Sequence, residues 1–87
     1  MTTEVLIDIL GWLGAIGLLL PYFLVSVGKI KGNSVSFQMS NLVGSFLLVI
    51  NSLYYGALPS VAVNLVWIAI GCGMLFRIKR GTESEQL

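Results

Sequence analysis

The chain has 87 residues, enough for one small domain; 56% of them are hydrophobic and 10% charged, with a mean hydropathy of +0.92. A water-soluble domain carries about 25% charged residues, and a chain this short folded in water would leave much of that apolar surface wet. Cys72 is the single cysteine, which excludes an internal disulfide, and a net charge of +1 gives no reason to expect nucleic acid. The stretches from Ile9 to Gly28 and from Gly32 to Phe76 hold 20 and 45 residues without a charge, and the second is long enough for two crossings. Residues 1–87 therefore read as a single all-α membrane domain, a bundle of three transmembrane helices.

The first span runs from about Val5 to Gly28. Glu4 and Asp8 precede its apolar run where a cleaved signal peptide would need Lys or Arg, so it reads as a retained helix. Lys29, Ile30, Lys31, Gly32 and Asn33 form a polar connection, with Gly32 placed for a left-handed helix cap and Asn33 or Ser34 for the next N-cap. The second span covers about Val35 to Tyr55 and breaks at Gly56, Ala57, Leu58 and Pro59. Pro59 suits the first turn of a third helix, where its missing N–H costs nothing. That third span covers about Ser60 to Phe76, stops at Arg77, Lys79 and Arg80, and leaves residues 81–87 as a flexible polar tail.

Three crossings put the first loop and the C-terminal end on one side, and all five basic residues fall there: Lys29, Lys31, Arg77, Lys79 and Arg80. Basic flanks stay cytoplasmic, which predicts an outside N-terminus, an inside C-terminus and a multi-pass protein of the inner (cytoplasmic) membrane. Tyr54 and Tyr55 at the outer end of the second span fit an aromatic belt.

Polar residues inside a span tell what the helix faces. Ser34, Gln38, Asn41, Ser45, Ser52 and Tyr55 follow steps of three, four and seven, one stripe on the second helix, with Asn51 beside it. Ser60, Asn64, Trp67, Gly71 and Met74 make a similar line on the third helix, and Gly11, Gly14, Leu18, Pro21, Val25 and Gly28 on the first. Close packing between helices accounts for the glycines and serines. Asn64 and Trp67, one turn apart inside the third span, suit a neutral polyhydroxyl ligand: the amide bonds hydroxyls and the indole stacks on an apolar sugar face. Asn51, beside the stripe on the second helix, is a further candidate. Pro21 removes one backbone hydrogen bond and leaves the Gly17 carbonyl without its usual donor, which predicts a kink and a candidate hinge.

The chain has no His, and its acidic residues stand only at the ends, so no buried carboxylate is available to relay a proton. It shows no metal-ligand cluster, nucleophile–base pair or phosphate loop; no enzyme, metal or cofactor is expected, and Cys72 reads as a packing residue.

Three spans, the N-out topology, Pro21 in the first span and the stretch Tyr55-Gly56, Pro59, Asn64 joining the last two resemble the SemiSWEET and PQ-loop sugar transporters, over roughly Gly11 to Arg80. In that resemblance Pro21 matches the hinge proline of the Pro-Gln motif and Asn64 the asparagine that contacts sugar. Tyr22 stands where the motif has glutamine, and Ser52 where sugar-transporting members carry a stacking tryptophan, a face Trp67 could supply from the other helix. The segments Gly11 to Ala15, Asn51 to Tyr54 and Pro59 to Trp67 are similar to an uncharacterised bacterial subgroup of small SemiSWEET-related proteins. The resemblance implies a parallel homodimer with Asn64, Trp67, Ser52 and Asn51 of both copies toward one cavity. It implies uncoupled alternating access for a small neutral solute, a sugar being expected. The alternatives are a non-transporting accessory subunit of the membrane and a carrier of a different small solute.

Overall fold

The computed structural model describes the backbone of residues 2–86 and the side chains of residues 2–80. Three helices follow one another: α1, Thr3–Ser26; α2, Val35–Tyr54; and α3, Leu58–Gln86. Each is long and apolar enough to cross a membrane, the apolar part of α3 being Leu58–Arg80.

Local chemistry sets the ends. Thr2 caps α1, its hydroxyl accepting from the Val5 N–H at 3.2 Å, which starts the helix two residues before the expected Val5. Of the two candidates for the α2 cap, Ser34 takes the role, accepting from the Phe37 N–H at 3.2 Å. The left-handed cap of α1 falls on Gly28 (φ 79°), not on Gly32. Gly28 N–H donates to the Val25 carbonyl and Lys29 N–H to the Leu24 carbonyl, the paired bonds of a Schellman motif, so the helix closes before the chain reaches Gly32. The Gly32 carbonyl is instead held by the Gln38 amide at 2.9 Å. Gly56 (φ 68°) closes α2 in the same way, with bonds from Gly56 to Leu53 and from Ala57 to Ser52. Pro59 sits in the first turn of α3, as expected.

α3 does not stop at Phe76. Its backbone stays helical through Gln86, so most of the segment expected to be a flexible tail is helix, and Leu87 lies outside the described residues. Arg and Lys end an apolar span but are good helix formers, and the Arg80 guanidinium lies over the Phe76 ring one turn back, 5.6 Å from its centre.

α2 is the middle helix. It packs against both α1 and α3, whose backbones do not approach each other among the described residues. Glycines bring the α1 and α2 backbones together: a methyl at Gly44 would meet the Gly14 carbonyl oxygen at 2.8 Å, and one at Gly14 would meet the Gly44 oxygen at 2.7 Å. Gly71 does the same for α3, where a methyl would lie 3.0 Å from Leu42. Among the described residues the buried apolar side chains are Ile7, Pro21 and Val61, whereas Gln38, Asn41, Ser45, Ser52 and Asn64 are buried polar ones. Large apolar side chains such as Leu19, Phe23, Phe46, Val63 and Phe76 point outward. This is the polarity of a bundle whose solvent is lipid, where small residues and interhelical hydrogen bonds replace an apolar core.

Candidate functional site

Of the polar stripe expected on α2, Gln38, Asn41, Ser45 and Ser52 are buried, while Ser40 and Asn51, which lie outside it, hydrogen-bond to α1. Ser40 donates to the Gly17 carbonyl at 2.8 Å. That carbonyl is the one Pro21 leaves without a donor, so a hydroxyl from α2 replaces the N–H that proline lacks. Asn51 Nδ2 donates to the Ile7 carbonyl at 3.0 Å, in space kept open by Gly11, where a methyl would lie 2.5 Å from that amide nitrogen. Ser52 Oγ donates to Ser60 Oγ at 3.0 Å, and Asn64 Nδ2 donates to the Ser60 carbonyl at 2.9 Å, within its own helix.

The four candidate residues therefore occupy three places. Ser52 and Asn64 meet around Ser60 in the α2–α3 interface. Asn51 faces α1. Trp67 lines a cavity of about 290 Å³ with Leu18, Leu19 and Tyr22 of α1 and Phe37 and Asn41 of α2.

In that cavity Asn41 is the residue the candidate set omitted. Its side chain is 6% exposed and has no hydrogen-bond partner among the described residues. Ser45, one turn further along α2, is fully buried and its hydroxyl also lacks a partner. Asn41 was visible as a member of the α2 stripe. What distinguishes it from Asn51 and Asn64 is that their amides are engaged by backbone carbonyls and its own is not. A buried amide in an apolar wall, between Trp67 and Tyr22, can exchange hydrogen bonds with a polar ligand whose apolar face rests on the rings.

A second hollow, a shallow groove of about 280 Å³, lies at the other end of the molecule between Asp8, Gly11, Trp12 and Ala15 of α1 and Leu48 and Asn51 of α2. Here the Tyr55 hydroxyl donates to an Asp8 carboxylate oxygen, and Tyr54 packs edge-on against Tyr55 with ring centres 5.1 Å apart. The bond to Asp8 pushes the Tyr55 phenol up to about 12. Residues 8, 11, 12, 15, 18, 19 and 22 recur at i, i+3, i+4 and i+7 spacing, so the two cavities lie end to end on one face of α1. Asp8 and Tyr22 are about 21 Å apart along the helix axis, most of a hydrocarbon core of about 30 Å. A third hollow, of about 450 Å³, lies elsewhere on α1 around Leu13, Pro21, Leu24, Ile30, Ser36 and Ser40.

No curated protein and no solved structure matches the chain significantly. A model of an uncharacterised protein family matches residues 7–82, most of the chain, and the chain belongs to that family.

Proposed function

We propose that the protein is a SemiSWEET-like carrier, a parallel homodimer that moves a small neutral solute, a sugar in the first instance, by uncoupled alternating access. It sits in the cell's inner membrane with its N-terminus outside. The observation that carries this reading is Asn41, a buried amide without a partner beside Trp67 and Tyr22, in a chain whose helices are long and apolar enough to span a membrane. Binding energy for a polyhydroxyl ligand comes from exchanging water for amide hydrogen bonds and from stacking on aromatic faces.

The open sides of the chain support the pairing. α1 and α3 flank α2, their backbones not approaching each other among the described residues, and the aligned cavities stand uncovered along α1. Two copies facing each other would turn two open grooves into one enclosed path. Closing one end while opening the other needs a bend in a helix, and the Pro21 turn supplies it: its free carbonyl is held by one Ser40 hydroxyl, which can let go, instead of by a helical N–H.

A second reading, a non-transporting subunit, is favoured by the Ser52–Ser60–Asn64 group, whose hydrogen bonds hold α2 to α3 and the first turns of α3 together. The deciding experiment is counterflow of labelled mono- and disaccharides in proteoliposomes, comparing wild type with Asn41→Leu and Asn64→Ala. Saturable uptake that Asn41→Leu abolishes supports the carrier. No uptake of any sugar by a folded dimer refutes the sugar assignment.

A further inference from the structure

The cavity at the N-terminal end of α1 has a chemistry distinct from that around Asn41. Asn51 Nδ2 is tied to the Ile7 carbonyl. A carbonyl can only accept, so the amide must be turned with its donor inward and its Oδ1 free. Asp8 contributes a carboxylate with one oxygen engaged by Tyr55. Trp12, one turn from Asp8 on the same helix face, is 74% exposed. Asp8, Asn51 and Trp12 all line this cavity, so a carboxylate, an amide and an indole stand together on its wall.

Among the described residues no cationic side chain answers them. Lys29, Lys31, Arg77, Lys79 and Arg80 are all at the opposite end of the bundle, and Glu4, one turn before Asp8, adds a second carboxylate on this side. A carboxylate whose one donor is the neutral Tyr55 hydroxyl, beside an indole face, suits a ligand that carries N–H donors and a positive charge. A sugar hydroxyl could use the acceptors but not the charge.

We propose that the cavity lined by Asp8, Gly11, Trp12 and Asn51 binds a primary ammonium group, with Asp8 and the Asn51 Oδ1 accepting its hydrogen bonds and Trp12 lying against its alkyl carbon. The inference does not rest on the transport reading. Two sources carry this group to a membrane surface: a free alkylamine and the head group of phosphatidylethanolamine.

The test uses the full chain with Trp67→Phe, which leaves Trp12 as the single indole, in micelles of a polyoxyethylene detergent. Propylammonium chloride is titrated against Trp12 emission, with sodium chloride as the ionic control. A saturable change that sodium chloride does not produce, weakened about tenfold or more by Asp8→Asn, is the expected result. Asparagine keeps an oxygen for the Tyr55 hydroxyl, so the variant removes the charge and little else. A linear response equal to that of sodium chloride, or unchanged affinity in Asp8→Asn, overturns the proposal. Should Asp8→Asn not fold, Trp12→Leu read by calorimetry decides instead, because an exposed leucine suits lipid; unchanged affinity there is equally fatal. Repeating the titration in phosphatidylcholine nanodiscs, with and without phosphatidylethanolamine, separates the sources. Competition by phosphatidylethanolamine identifies the lipid as the occupant, and unchanged affinity the free amine.

Discussion

Ser40→Ala should be costly only while Pro21 is present. In α1 the Gly17 carbonyl would accept from the N–H of residue 21, and proline has none. Ser40 supplies the missing donor at 2.8 Å, and the contact of Gly17 with the Gly44 backbone brings α2 within reach, a methyl at Gly17 lying 3.3 Å from the Gly44 Cα. Interhelical hydrogen bonds in membranes average about 0.6 kcal/mol and reach about 1.7, because the broken partners usually find others. Proline removes this carbonyl's usual backbone donor, so the upper part of that range applies, about 1–1.5 kcal/mol. In a Pro21→Ala background the backbone N–H restored at that position can take over, and the same Ser40→Ala change should cost below about 0.5 kcal/mol. The assay is reversible unfolding in mixed micelles of a non-ionic detergent and dodecyl sulfate, followed by helical circular dichroism for the wild type, both single variants and the double. Their difference is a coupling of about 1 kcal/mol, independent of what Pro21→Ala does alone. Equal costs of Ser40→Ala in both backgrounds would refute the replacement of one donor by the other and leave Ser40 as a packing residue.

Gly44→Ala should destabilise by about 1–2 kcal/mol in the same assay, the overpacking cost against the Gly14 and Gly17 backbone less the helix propensity alanine gains. Gly73→Ala, where a methyl meets nothing within 4 Å, should be neutral or stabilising by up to about 1 kcal/mol, and equal effects at the two sites would sink the tight-crossing argument. Tyr55 should titrate near 12, taken from the ultraviolet difference between wild type and Tyr55→Phe, and return toward 10 in Asp8→Asn. Because its folded pKa is raised, the contribution of the phenol hydrogen bond is complete below pH 10 and disappears as the pH climbs through about 12; titration near 10 in the wild type would show that the bond to Asp8 does not form.

Three helices, their places and some of their ends can be read from charge gaps and punctuation, since Ser34, Pro59 and Gly56 act over one turn of chain. The misplaced cap at Gly32 shows the limit. Gly28 and Gly32 are equally able to adopt positive φ, and the choice depends on where α1 has already run out of apolar contacts, which Lys29 and Lys31 alone do not settle. The polar stripe of α2 was likewise legible from its spacing. Which amide remains free was not, because that depends on how the neighbouring helices are rotated. Gly11 admits Asn51 to the Ile7 carbonyl, and Ser60 lies one turn before Asn64, while Asn41 meets Leu18, Tyr22 and Trp67, none of which offers it a described bond.

Asn41 and Ser45 stand one turn apart on α2 and neither has a described partner, yet they are not equivalent: the Ser45 hydroxyl is sealed in the interface, whereas the amide of Asn41 opens on the cavity. Ser45 can turn its hydroxyl toward the carbonyl one turn back on its own helix, a local bond open to any serine in a helix. An asparagine amide has two donors and an acceptor, and one local carbonyl cannot satisfy all three. Holding such a group in an apolar wall costs about 1–3 kcal/mol. Leucine has nearly the same size and no polar atoms, so Asn41→Leu should raise stability by about that amount in the unfolding assay. If the amide is there for a ligand, the same substitution should abolish counterflow, so that stability and function move in opposite directions. A variant that is destabilised would mean the amide holds the bundle together through a bond that the free chain conceals. A variant that is more stable and still transports would move the solute away from Asn41 and, with it, the case for this cavity.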